Sequence, residues 1–150
     1  ALMNAKARKC KMRQTSFKNP TGLPAKGQLT TAKDMLTLAL VYVKTHPEAM
    51  QYHSIATFTH GGRVLSTTNA LLGSVCGVYG LKTGWTVASG YNIIVTATRG
   101  KDRLVCVLLG GKSRVGRDIT ARKLIEAGFM APNSPKDVAR ILEGKSKKKR

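Results

Sequence analysis

Lys82-Thr83-Gly84, continued by Trp85-Thr86, is the most chemically equipped stretch of the chain. Three successive positions offer an ammonium group, a hydroxyl that can donate or accept, and a residue with no side chain, beside which another backbone can pass. The tripeptide lies between an apolar stretch and two long β-type runs, a setting in which a strand at the edge of a cleft presents it. With average residue usage, Lys-[Ser/Thr]-Gly arises by accident in roughly one chain in ten of this length, so its weight depends on its surroundings.

The other reactive residue types form no comparable arrangement. Cys10, Cys76 and Cys106 are widely spaced, with no Cys-x-x-Cys pair and no histidine pairing beside them. His46, His53 and His60 lack ligand-like spacing, so the chain is read as holding neither metal nor cofactor. An odd cysteine count argues against a disulfide framework. Cys106, inside an apolar run, reads as a buried small hydrophobe.

A chain of 150 residues, 42% hydrophobic, can build one domain with a real core. No run approaches the length needed to span a bilayer. The first ten residues, Ala1 to Cys10, lack the apolar middle region and cleavage site of a signal peptide. They read as a helix entered midway, with no capping residue ahead of it, and suggest a chain whose natural beginning lies elsewhere. The net charge of +19, from 26 basic and 7 acidic residues, favours anionic partners: nucleic acid, phospholipid head groups or acidic wall polymers. Lys145, Lys147, Lys148, Lys149 and Arg150 form a basic tail, expected to be disordered, that suits a membrane-surface or wall-polymer contact.

Several elements must position the tripeptide. Residues 19–24, Asn-Pro-Thr-Gly-Leu-Pro, are turn chemistry. A helix is predicted from Thr30-Thr31, where Thr31 and Asp34 have capping spacing. Ala32, Met35, Leu36, Ala39, Tyr42 and Val43 form its apolar face, Lys44 and His46 suit its negative end, and Pro47 stops it. Ile55 to Thr59 and Arg63 to Ser66 flank Gly61-Gly62 as a β-hairpin. Asn69 to Leu72 suggests a helical turn, and Tyr79 to Gly84 a strand. Tyr91 to Arg99 and Arg103 to Leu109 are strands joined by a tight turn at residues 100–102. Their near-continuous apolar runs predict a sheet covered on both faces by helices, an α/β (α+β) fold. Ser113 caps a last long helix whose stripe is Val115, Ile119, Leu124 and Ile125, with Gly128 as its C′ residue and Phe129 packing back. A weaker helix, Lys136 to Leu142, follows.

These residues, taken in order, resemble the low-molecular-mass penicillin-binding proteins, the serine D-alanyl-D-alanine carboxypeptidases. The series is Phe17-Lys-Asn-Pro-Thr-Gly-Leu-Pro24, Thr30-Thr-Ala-Lys-Asp34, Asn69-Ala-Leu-Leu72 and Gly80-Leu-Lys-Thr-Gly-Trp-Thr86. It continues through Ser89-Gly-Tyr-Asn92, Val107-Leu-Leu-Gly110 and the helix from Arg117 to Phe129. Thr67 stands where an Asn commonly precedes Asn69, and Ser89 where Ala is usual. The resemblance implies a penicillin-binding, β-lactamase-like transpeptidase fold with one antiparallel sheet. Residues 1–130 would be the C-terminal portion of the catalytic domain and residues 131–150 a basic tail.

That family carries three signatures: Ser-x-x-Lys with the nucleophile, a Ser-x-Asn type motif, and Lys-Thr-Gly. Ser-x-Asn is absent here, and the one Ser-x-x-Lys, Ser146-Lys-Lys-Lys149, lies in the basic tail. The expectation is therefore a domain incomplete at its N-terminus, from a truncated or processed chain or an interrupted gene, inactive alone and poorly stable or self-associating without the N-terminal half. The resemblance implies peptidoglycan stem peptides and β-lactams as ligands, and the extracytoplasmic face of a bacterial envelope as location. It assigns Lys82 positive charge near the substrate carboxylate and the proton-transfer network, and Thr83 a hydroxyl donor to that carboxylate. Gly84 allows close approach of the substrate backbone, and Trp85 contributes an oxyanion-hole N–H. Arg117 corresponds to a basic residue that meets the substrate's terminal carboxylate. The alternative reading is a basic binding module for nucleic acid or another polyanion, motivated by the charge. No Cys/His finger, RNP-type aromatic motif or strong helix-turn-helix pattern supports it.

Overall fold

A computed structural model describes residues 2–131 and 134–144. The basic tail and its Ser146-to-Lys149 match lie outside the described residues. The chain opens with α1 (Leu2–Lys9), followed by a long loop and α2 (Ala32–Thr45). Thr31 caps α2 by accepting from the Asp34 N–H, as the spacing predicts. The Asp34 carboxylate does something the spacing does not announce. Buried, it accepts from the Gln14 N–H at 2.8 Å and the Thr15 hydroxyl at 2.7 Å, and so ties the loop after α1 to the start of α2.

A short 3-10 turn at Pro47–Ala49 leads into α3 (Met50–His53). The hairpin β1 (Thr57–His60) and β2 (Arg63–Ser66) then turns on Gly61-Gly62, with the register Thr57↔Ser66 to His60↔Arg63. Residues 69–75 form hydrogen-bonded turns, anchored by Asn69. Its buried amide donates to the Gly80 carbonyl and its carbonyl oxygen accepts from the Leu71 N–H.

The main sheet is antiparallel, in the order β3 (Val78–Thr86), β4 (Gly90–Arg99), β5 (Asp102–Gly111). Side chains of a strand alternate between faces, so the pairing fixes which residues share a side. Ile93, Val95 and Ala97 of β4 join Cys106 of β5, Leu71, Val75 and the helical Ala121 and Ile125 in one core. The opposite face of β4 carries Ile94 and Thr96. There α3 packs on β3, α2 packs on β5 and β4, and the Tyr42 hydroxyl bonds His53 Nε2 at 2.9 Å to join the two helices. Helices thus cover both faces. For β4, buried from Ile93 to Ala97, this bears out the inference from its apolar run. In β5 only Cys106 is fully buried. That strand is outermost in the sheet, and among the described residues no strand pairs with its far edge. Burial pushes the Cys106 thiol up to about 11, which keeps it an uncharged packing group.

The final long helix, α4 (Arg114–Met130), is capped by Ser113, which accepts from the Gly116 N–H. Its buried stripe differs from the one hydrophobicity suggests. Arg117, Ala121, Ile125 and Gly128 face the sheet, whereas Val115 and Ile119 are exposed. Two residues of offset turn a helix through about 200°, so the 115/119 pair must point away when 117/121 points in. Gly128 is likewise not a cap, because α4 continues past it to Met130. A Cβ at Gly128 would stand 2.8 Å from Leu104 Cδ1, so its bare backbone is what allows α4 to lie close on β5. The last helix, α5 (Pro135–Leu142), packs against α4.

Arg99, at the end of β4, clamps α4 to the sheet. It donates to both oxygens of Glu126 at 2.8 and 2.6 Å, reaches the Cys76 carbonyl, and lies 4.4 Å over the Phe129 ring. The Arg99 hydrogen bonds hold the Glu126 carboxyl below its usual range. A carboxyl whose folded-state value is depressed adds stability above its unfolded value, and that stability is lost as pH falls through the folded value. Urea midpoints should therefore drop between pH 7 and pH 3 by more in the native protein than in Glu126→Gln. The difference should be small, because the pair is partly exposed. Equal drops in both proteins would show that the pair is pH-silent.

Candidate active site

The site is built on β3, the edge strand of the sheet opposite β5. Its register sets Lys82 against Ile94, Thr83 against Ile93, Gly84 against Asn92 and Trp85 against Tyr91. Thr83 and Trp85 therefore share the face on which α4 lies, while Lys82 points to the other. Thr83, Gly84 and Trp85 line an open cleft of about 470 Å³ together with Thr68, Tyr91, Arg114 and Arg117. Lys82 is not among the lining residues; its exposed ammonium donates to the Thr83 carbonyl.

Thr83 is held by a contact across fifteen residues. Its hydroxyl lies 2.5 Å from that of Thr68, in the stretch between β2 and the Asn69 turn. Arg117 is buried, at 3% exposure, and its donors are committed. Nε and Nη2 both reach Asp118 Oδ1, at 2.8 and 2.7 Å, while Nη2 also approaches the Thr68 carbonyl at 3.3 Å and Nη1 the Asn92 carbonyl at 3.5 Å. Arg117 thus braces Thr68, which in turn meets Thr83.

Asn92 fastens the end of β3. Its amide donates to the carbonyls of Gly84 and Gly90 and to the Ser89 hydroxyl, and its oxygen accepts from the Gly110 N–H at 2.9 Å. Thr86 closes the β3–β4 turn by accepting from the Ser89 N–H at 3.0 Å. Beyond Asn92, the exposed Trp85 ring rests against Tyr91, with centroids 5.7 Å apart.

The structure therefore gathers Thr83, Gly84, Trp85 and Arg117 at one cleft and leaves Lys82 on the reverse of the same strand. Thr68 and Arg114 are cleft residues that the sequence alone did not single out. No local signal marks Thr68, since its role arises only when its loop meets β3. Arg114 was hidden among the many basic residues of the chain.

This arrangement coincides with a family match. The profile described as D-alanyl-D-alanine carboxypeptidase matches residues 1–113. The chain belongs to the D-alanyl-D-alanine carboxypeptidase family. It is 36% identical over 129 residues to D-alanyl-D-alanine carboxypeptidase DacD of Salmonella typhimurium, covering 85% of this chain and 33% of that one. To DacC of Escherichia coli it is 38% identical, covering 85% of this chain and 32% of the relative. The chain spans about a third of the length of these curated relatives. Among solved structures, penicillin-binding protein D2 of Listeria monocytogenes in its cefotaxime-bound form superposes with a TM-score of 0.79 at 39% identity, over 85% of this chain and 53% of that one. Penicillin-binding protein 5 of Haemophilus influenzae gives 0.81 at 30% identity, over 86% and 38%. Family membership takes the place of the alternative, a polyanion-binding module. Among the described residues, no helix is long and apolar enough to cross a membrane.

Proposed function

We propose that this chain supplies the Lys-Thr-Gly side of a serine D-alanyl-D-alanine carboxypeptidase site. In that reaction a serine attacks the penultimate D-Ala carbonyl of a peptidoglycan stem peptide. Terminal D-Ala leaves, and water hydrolyses the acyl-enzyme. The observation that carries the reading is Thr83-Gly84 on an edge strand beside an open cleft. Gly84 is exposed with open space where a side chain would stand, so a substrate backbone can lie along β3 as an added strand. Thr83 offers its hydroxyl to the substrate, and the Trp85 N–H serves the oxyanion. Lys82, on the reverse face, contributes charge at the open edge of β3. On this reading the ligands are stem peptides and β-lactams, and the place of action is the extracytoplasmic face of a bacterial envelope. Residues 1–130 act as the catalytic portion, and the basic residues beyond them as a contact for anionic wall or membrane polymers.

No serine in the described residues is followed three positions later by lysine, and Ser-x-Asn occurs nowhere in the sequence. The 150 residues alone are therefore expected to form no denaturation-resistant adduct with a labelled penicillin. Mixed or co-expressed with a polypeptide carrying the family's Ser-x-x-Lys and Ser-x-Asn segments, they should restore labelling on the serine of that polypeptide. A labelled band mapping to a serine within the 150 residues would refute the assignment of roles. Failure of the pair to label, with both chains folded, would refute the proposed site.

A further inference from the structure

The end of α1 carries five cations in eight positions: Lys6, Arg8, Lys9, Lys11 and Arg13, all exposed. Residues 1–33 hold eight basic side chains and no acidic one, and none of these five takes part in an ion pair among the described residues. Lys6, Arg8 and Lys9 lie in the last turn of α1, where the helix dipole favours positive charge. Lys11 and Arg13 lie past the helix, so the dipole does not account for them. Lys11 also stands at a conformational cost. With φ of 61°, it is the one non-glycine residue in the left-handed region among the described residues. Its N–H donates to the Arg8 carbonyl and the Met12 N–H to the Ala7 carbonyl, both at 2.9 Å, which is the helix ending that glycine suits best. The buried Ala7 and Met12 pin that turn to the protein. What a lysine adds at this position is its charge, not a better helix end.

The surroundings of these cations narrow the kind of anion they fit. A helix that lies on a membrane sets an apolar face against the lipid. In this segment Ala7 and Met12 are turned into the protein, and the exposed Leu2 and Met3 lie at the first turn, beside Phe17 and Pro20. Nucleic acid bound without sequence readout is held by aromatic side chains on which bases stack, and the one aromatic residue before Tyr42 is the half-buried Phe17. What remains is charge alone, from ammonium groups and guanidinium forks that both suit phosphate oxygens. We propose that Lys6, Arg8, Lys9, Lys11 and Arg13 form a docking surface for a linear polyol-phosphate polymer, a chain of phosphodiesters without bases. None of the five lines the cleft beside Thr83, so the polymer and a ligand on β3 do not compete.

The test uses the enzyme complete with its Ser-x-x-Lys and Ser-x-Asn segments, titrated with poly(glycerol phosphate) over a range of salt. The native enzyme should bind, and its affinity should fall steeply as salt rises, because each phosphate contact releases a counterion. Lys11→Gly should weaken binding about threefold and lessen the salt dependence, yet raise the urea midpoint, since glycine accepts the left-handed turn. Replacing Lys6, Lys9 and Arg13 together by Gln should weaken binding roughly tenfold or more, as expected when three phosphate contacts go. Polymer binding is read without penicillin, so failure of the β3 site would leave this result standing. No binding by the native enzyme, or native affinity in both variants, would show an ordinary solvated face and overturn the inference. Single-stranded DNA of equal charge binding much more tightly would mean that bases are recognised. Vesicles of phosphatidylglycerol held at salt that releases the polymer would mean a membrane site. Either of those results overturns the assignment to a polyol phosphate.

Discussion

Gly77→Ala is expected to lower folding stability by about 3 kcal/mol or more, a larger loss than at any other glycine beside the sheet. Gly77 sits at the entry to β3 with φ of +80°, a left-handed conformation that an L side chain adopts only at a cost. A Cβ there would stand 2.2 Å from the Thr98 carbonyl oxygen and 3.0 Å from its carbon. Those atoms are backbone, and they belong to a β4 residue whose N–H donates to the Gly77 carbonyl. Relief therefore requires β3 and β4 to part where Val78 pairs with Ala97. Gly73 is the matched control. Its φ of +76° carries the same conformational cost, but nothing lies within 4 Å of a Cβ there, so Gly73→Ala should lose only about 1 kcal/mol. Urea melts of the two variants separate the steric part from the conformational part. Equal losses would mean that β3 can shift away from Thr98 freely, and that the position of the Thr83 strand is softer than its register suggests.

Thr83→Ala, in an active enzyme containing these residues, should lower kcat/KM for D-Ala-D-Ala peptides by roughly 10- to 100-fold. That is the expected loss of one hydrogen bond to a charged group. Thr83→Ser should retain most of the activity, because the methyl group is dispensable if the hydroxyl acts on the ligand. The Thr68 contact makes a second comparison informative. Thr68→Val removes the hydroxyl that fixes the Thr83 rotamer but leaves Thr83 its own donor, so a smaller loss is expected there. Unchanged kinetics in Thr83→Ala would take Thr83 out of the ligand site. An equal loss in Thr83→Ser would point to packing and not to hydrogen bonding.

The same contacts separate what was legible in the sequence from what was not. Capping at Thr31 and Ser113 and the Gly61-Gly62 hairpin were readable because each depends on atoms within three or four residues. The buried strand β4 was readable from its apolar run, and the Lys82-Thr83-Gly84 strand from its place within an ordered series of motifs. Tertiary structure decided the rest. The buried stripe of α4 runs through Arg117, not Val115 and Ile119, because Asp118 and two distant carbonyls make it possible to bury a guanidinium. Gly128 is a point of contact and not a helix end because Leu104 lies against it. Thr68 reaches Thr83, and Arg117 reaches Thr68, through pairings that span 15 and 49 residues of sequence. Hydrophobic period and capping chemistry act over one or two turns of chain. Which side chains of a helix reach a cleft, and what partners they meet there, depends on how the helix docks on a sheet, and no local pattern encodes that choice.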